Sequence, residues 1–319
     1  MRSQLQHQYM PTPSPTTATH IIDLGALDAE QAREQLGSKE KFWVDIEIDG
    51  ETATWLFKQS KRFESTGQVI GDHWSEHLAS RLMRCAGVPA HVTRLARDAQ
   101  GCWGVLCRNV LRSQTEQLVH GVELLIRRAS AHGKVYRAEM NYPTGYDVGR
   151  VYRTLHELCG DDGAQHFADM LLLDTWLRNA DRHDENWGII RVAGGAARPC
   201  PAYDNASCLG RTLTPSYMQD LLDGRRHGLD AFLARGKSAF THPDTGRRLT
   251  HEEALLLLAQ EHGAREWLRR RLDIVAGMHE RAAAEVEAVL GAAGCGDTEV
   301  RFVLTLLDQS LQRITRCIA

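Results

Sequence analysis

The sequence predicts an α+β fold in two lobes, a small β-rich amino-terminal one and a larger helical carboxy-terminal one. Three observations carry that expectation. A strand pair joined by an Asp-Gly turn opens the ordered part. One amphipathic helix and two further strands follow it. From residue 111 onward the apolar residues recur mainly at helical spacing. The 319 residues are enough for such a division. It assigns 1–22 to a disordered tail, 23–110 to an N-lobe and 111–319 to a C-lobe.

The tail, MRSQLQHQYMPTPSPTTATH, is rich in Pro, Thr, Ser and Gln and lacks the apolar core of a secretory signal. Order begins near Ile21. In KFWVDIEIDGETATWLFK, Phe42, Val44, Ile46 and Ile48 alternate with Trp43, Asp45, Glu47 and Asp49, the period of a half-buried strand. Asp49-Gly50 signals a tight hairpin, and the return strand ends on Lys58. A helix follows with Asp72 as its expected N-cap. Trp74, Leu78, Leu82 and Cys85 share one face, Gly87 and Pro89 stop it, and Glu76 lies at the edge of the apolar arc. AHVTRLARD and GCWGVLCRNVL read as two more strands. Beyond them, GAQHFADMLLLDTWLRN (163–179) reads as a buried helix and 187–208 as a short hairpin. Three amphipathic helices are expected at 251–262, 264–291 and 297–316.

Composition excludes several classes. A net charge of −3 gives no electrostatic basis for direct nucleic-acid binding. No apolar run approaches the ~20 residues that cross a bilayer, so no membrane partner is expected. The eight cysteines form no C-x-x-C pair and read as reduced, buried thiols of a cytoplasmic protein.

The chemistry concentrates in RNADRHDENWGII, 178–190. One reading is a solvated loop, since Asn and Asp populate such loops. A second is a metal-dependent phosphohydrolase using the His183-Asp184 pair with His166 upstream. The third is a kinase catalytic loop, in which an Asp accepts the proton of the attacking hydroxyl and an Asn five residues later binds a metal ion. Asp181 and Asn186 have that spacing, and Asp204 follows the short hairpin where a second metal ligand belongs. Mg²⁺ prefers hard oxygen ligands and keeps several waters, so two protein ligands suffice. The same template asks for a strand-ending lysine, Lys58, and a helical glutamate to hold it, Glu76. Each element alone is weak, but their joint order is selective.

With these residues assembled, the chain resembles the HipA-like kinase family, known from bacterial toxin–antitoxin operons. The most specific match is N-x-D-x-H-x-x-N at Asn179, Asp181, His183 and Asn186. YDN at 203–205 matches a metal-binding step, LGSKEKFWV at 36–44 a phosphate-binding loop, and WSEHLASRLMRCAGVPA the helix carrying Glu76. The resemblance covers about residue 30 to the end, the last hundred residues or so in helical character only. It implies a bilobal protein-kinase-like fold moving the γ-phosphoryl of ATP to Ser or Thr. Asp181 would be the base. Asn186 and Asp204 would hold Mg²⁺, and Lys58 would contact the phosphates, supported by Glu76. Gly37 and Ser38 would lie in the phosphate loop, with Ser38 a candidate for self-phosphorylation. Backbone near Cys107 would read adenine, while Asn179 and His183 would brace the catalytic loop. A protein acceptor such as a translation component, and an antitoxin partner, are further implications.

Three departures stand out. The phosphate loop has one clear glycine. The residues ahead of it are mostly tail, where longer members carry an extra subdomain. Asn205 follows Asp204 where ordinary kinases have Phe-Gly. Two alternatives remain beside the protein kinase: a lipid or small-molecule kinase on the same fold, and a non-catalytic pseudokinase that only binds.

Overall fold

The computed structural model describes residues 19–25, 32–33, 41–131, 136, 145–195 and 197–318. Its amino-terminal part is a six-stranded sheet and one helix. The strands are β1 (Ile22–Asp23), β2 (Ala32–Arg33), β3 (Lys41–Ile48), β4 (Glu51–Gln59), β5 (Thr93–Arg97) and β6 (Trp103–Arg108). They lie in the order β1-β5-β6-β4-β3-β2, with only the β1–β5 pair parallel. The hairpin forms where expected. Asp49 and Gly50 both take positive φ, 57° and 79°, so the tight turn matches the right-handed twist of its strands. Val44, Ile46 and Ile48 are buried with Trp55, Phe57 and Leu106, which gives one sheet face its own apolar cluster.

The other face receives α1 (Asp72–Cys85), which packs on β5 and β6 through Trp74, Leu78, Leu82 and Met83. Its N-cap is Gly71 rather than the expected Asp72. Asp72 is already helical, and its carboxylate is engaged by Arg211 and by the Lys61 amide instead of capping the helix. Gly87, at φ 74°, ends the helix as expected.

The carboxy-terminal part is mainly helical. It comprises β7 (Glu116–His120), α2 (Gly121–Ala131), α3 (Val148–Leu177), β8 (Gly188–Val192), β9 (Arg198–Pro199), α4 (Pro215–Leu222), α5 (Gly228–Arg235), β10 (Lys237–Thr241), β11 (Arg248–Thr250), α6 (His251–Leu258), α7 (Ala264–Ala276), α8 (His279–Ala292) and α9 (Asp297–Ile318). The buried helix starts fifteen residues earlier than the pattern around 163 suggests, at Val148, because Val148, Val151 and Leu155 bury a stripe of their own. Gly160 (φ 64°) interrupts the helical path between the two halves. The expected helix 264–291 is two helices, broken at Gly277 and Met278. The hairpin expected at 187–208 is smaller: β8 pairs briefly with β9, and its longer partner is β7, a strand the pattern did not announce. Every cysteine is free, but only Cys107, Cys200 and Cys208 are fully buried.

The two parts share one core. Leu78 and Leu82 of α1 belong to the same apolar cluster as Phe167, Leu255 and Phe302. The chain just after α1 also bridges to the run before Asp204: His91 N donates to Ala202 O at 3.0 Å and Ala202 N to Pro89 O at 2.9 Å. These bonds bring Tyr203 and Asp204 beside α1.

Candidate active site

The site is built at the carboxy end of α3. Arg178 adopts the left-handed conformation (φ 59°) and closes the helix. Asp174, one turn back, stands in the largely apolar run Leu171–Leu177. Such a carboxylate needs a buried partner, because an isolated charge in an apolar interior is very costly. Arg182 supplies it, with Nε and Nη2 reaching the two Asp174 oxygens at 2.8 and 2.9 Å. Both side chains are almost completely buried, 1% and 2% exposed.

Arg182 does more than neutralise Asp174. Its Nη1 donates to Asn186 O (2.8 Å) and Tyr203 O (2.6 Å), and its Nη2 also donates to Asn205 Oδ1 (2.6 Å). All five guanidinium N–H groups are therefore used. One side chain thus ties the catalytic-loop candidate to the segment carrying Asp204.

Asn179 braces the loop from the other side. Its Nδ2 donates to Asp174 Oδ1 (2.8 Å), and its Oδ1 accepts the Asp181 amide (3.1 Å). Asn186 Nδ2 donates to Asp181 O at 2.8 Å. That leaves the Asn186 amide oxygen as the end able to face a cation. His183 contributes less. Its ring accepts the Glu185 amide at 3.2 Å, a bond confined to its own loop. His183 thus braces the loop locally, while Arg182 ties it to the buried Asp174 and to the segment carrying Asp204. The signal for Arg182 was the lone carboxylate at Asp174, which required a buried cation.

Lys58 reaches across from β4 and donates to Asp204 Oδ1 at 2.9 Å. Burial alone would pull its ammonium down, but Asp204 foremost, with Glu76 beside it, holds the pKa above the ordinary lysine value. Asp204 sits in the left-handed region at φ 53°. Glu76 is fully buried on α1, and its Oε1 accepts from His91 Nε2 (2.7 Å) and from the Asn205 amide (2.8 Å). Among the described residues its other oxygen has no hydrogen-bond partner. Burial raises the Glu76 carboxyl, yet Lys58 and His91 more than reverse it, so the group stays ionised. In this structure Glu76 thus acts on Lys58 through its charge, while the hydrogen bond of Lys58 goes to Asp204.

Cys107 is opposite Leu56 and Val105 is opposite Lys58, so Cys107 shares the Lys58 face of the sheet. Its thiol is pushed well up by burial. Gly37 and Ser38 lie outside the described residues. Asn186 and Asp204 carry hard oxygen donors of the kind that could hold Mg²⁺. Among the described residues no group of three or more His, Cys, Asp or Glu side chains is placed to hold a metal by itself. The Asp184 carboxyl of the phosphohydrolase alternative is buried and receives the Tyr136 hydroxyl at 2.8 Å.

A mainly antiparallel sheet whose half-buried Lys58 meets Asp204 beside an Arg-braced loop is the arrangement of a protein-kinase-like fold. Solved structures agree. The Helicobacter pylori proinflammatory kinase CtkA superimposes with a TM-score of 0.73 at 17% identity, covering 94% of this chain and 99% of that one. HipA of Shewanella oneidensis MR-1, solved in a toxin–antitoxin complex with HipB and operator DNA, gives a TM-score of 0.51 at 16% identity. That match covers 91% of this chain and 66% of HipA. No curated protein sequence matches. The model of the HipA-like C-terminal domain matches residues 35–261, most of the chain, and the protein belongs to that family.

Proposed function

We propose that this protein is an ATP- and Mg²⁺-dependent protein serine/threonine kinase. The observation that carries the reading is the shared scaffold: Arg182 holds the Asn186 and Tyr203 carbonyls together, while Lys58 meets Asp204 from the sheet. Asp181 would take the proton of the acceptor hydroxyl. Lys58 would bind the phosphates of ATP and offset charge that builds on the transferring group. Mg²⁺ on Asn186 and Asp204 would supply further neutralisation. The chain's own part is mainly positioning, which is what phosphoryl transfer asks of a protein.

Self-phosphorylation at Ser38, an acceptor among translation components, an antitoxin partner and a cytoplasmic location complete the proposal and rest on the family. The HipA neighbour belongs to an assembly with operator DNA. A formal charge of −3 therefore does not by itself exclude this chain from such a complex. No helix among the described residues is long and apolar enough to cross a membrane.

The test is incubation with Mg²⁺ and γ-labelled ATP beside Asp181→Ala and Asp204→Ala, with phosphosite mapping and a separate nucleotide-binding measurement. Label on the wild type alone is expected. Full transfer by either variant, or failure of the wild type to bind Mg·ATP, would overturn the reading.

A further inference from the structure

We propose that Ser207 is a positioning residue for the Asp181 carboxylate, and that Arg211 and Asp72 couple it to helix α1 and the lysine strand. This rests on the kinase reading above. None of the three side chains belongs to the machinery assigned there.

The segment after Asp204 is bonded to α1 along its length. The Asn205 amide donates to Glu76, Ser75 Oγ donates to Ala206 O at 2.8 Å, Asn205 Nδ2 donates to Ser80 Oγ at 3.1 Å, and the Gly71 amide donates to Arg211 O at 3.0 Å. It is equally tied to the catalytic loop, since the Ala180 amide donates to Ser207 O at 3.1 Å. Ser207 therefore stands between the helix and the residue before Asp181.

Its hydroxyl has one available direction. Arg211 Nη2 donates to Ser207 Oγ at 3.1 Å, and a guanidinium can only donate. The hydroxyl must accept there, so its own hydrogen is free to go to Asp181 Oδ2, 3.3 Å away. That bond occupies one carboxylate oxygen and fixes the plane of the group. The other oxygen, Oδ1, is left for the acceptor hydroxyl.

Arg211 in turn is anchored by Asp72 through Nη1. The second oxygen of Asp72 accepts the Lys61 amide at 3.2 Å, and Lys61 lies three residues beyond Lys58. A continuous hydrogen-bonded chain thus runs from the segment leaving the lysine strand, through Asp72, Arg211 and Ser207, to the proposed base. Displacing α1 would release the carboxylate, so the base is correctly aimed only while α1 and the lysine strand are docked.

The experiment uses the full chain, γ-labelled Mg·ATP and casein as added acceptor, following transfer to the chain itself and to casein. Ser207→Ala should lower the transfer rate at saturating ATP about tenfold, the order expected for one hydrogen bond to a charged group. The KM for ATP should not change. Ser207→Thr, which keeps the hydroxyl, should restore most of the rate. Arg211→Met and the isosteric Asp72→Asn should each slow transfer in the wild-type background. Neither should slow it further in a Ser207→Ala background. Transfer by Ser207→Ala at the wild-type rate, or additive losses in the double variants, would remove this proposal while leaving the kinase reading intact. Absence of both transfer and Mg·ATP binding in the wild type would remove both. Thermal unfolding of each variant separates loss of positioning from loss of fold. Asp72→Asn is the variant that preserves shape if Arg211→Met does not fold.

Discussion

Replacing Arg182 by methionine keeps most of the side-chain volume and removes the guanidinium. Five hydrogen bonds go with it. Among the described residues the Asp174 carboxylate, 2% exposed, then keeps only the Asn179 amide as a side-chain donor. Breaking one side of a buried ion pair costs about 3–5 kcal/mol, because the remaining charge is stranded away from water. The Asn186 and Tyr203 carbonyls and the Asn205 side-chain oxygen also lose donors, so we take about 4 kcal/mol as a floor. Domains are stable by only ~5–15 kcal/mol, so that is a large share of the total. At about 2 °C per kcal/mol for a chain of this size, the melting temperature should fall by about 8 °C. Circular-dichroism melting with urea titration at fixed pH measures both quantities. The double variant Asp174→Leu/Arg182→Met should lose less than Arg182→Met alone, because no charge is then stranded. A shift under about 2 °C for Arg182→Met, or a double variant no more stable than Arg182→Met alone, would refute the reasoning.

Other predictions concern the sheet and the pH dependence. A Cβ on Gly104 would lie 2.4 Å from the Phe57 ring and 2.7 Å from the Lys58 carbonyl. Gly104→Ala should therefore cost about 1–3 kcal/mol and, by shifting the lysine strand, weaken nucleotide binding measured by titration calorimetry; unchanged affinity would argue against that coupling. His166 is buried, and burial holds its pKa down to about 4 from an ordinary 6.5. Below pH 6.5 the unfolded chain takes up a proton that the folded chain refuses until the pH nears 4. Stability should therefore fall as the pH drops through that window, by at most ~1.4 kcal/mol per pH unit from this residue. Urea unfolding between pH 7 and pH 5 should show a shallower slope for His166→Gln than for the wild type.

Much of this protein is legible without coordinates, and the reason is local. The Asp49-Gly50 hairpin follows from alternation and from the positive φ that the turn demands. Helix α1 follows from the spacing of Trp74, Leu78 and Leu82. Order and spacing single out Lys58, Glu76, Asp181, Asn186 and Asp204 as candidates, since Lys58 nears the end of a strand, Glu76 follows on the next helix and the other three hold set places in two loops. What spacing cannot carry is pairing between distant segments. That Lys58 bonds Asp204 while Glu76 bonds His91 and Asn205 depends on contacts across more than a hundred residues for two of those three partners. The β7–β8 pairing was hidden for the same reason. The break at Gly277 was hidden because a glycine within a helical pattern can be either tolerated or terminal, and packing decides which. Arg182 was in plain view in the most charged stretch of the chain. Only the fold determined that it, and not its neighbour His183, would turn inward to meet the buried Asp174, because only a guanidinium has five donors to satisfy the acceptors gathered there.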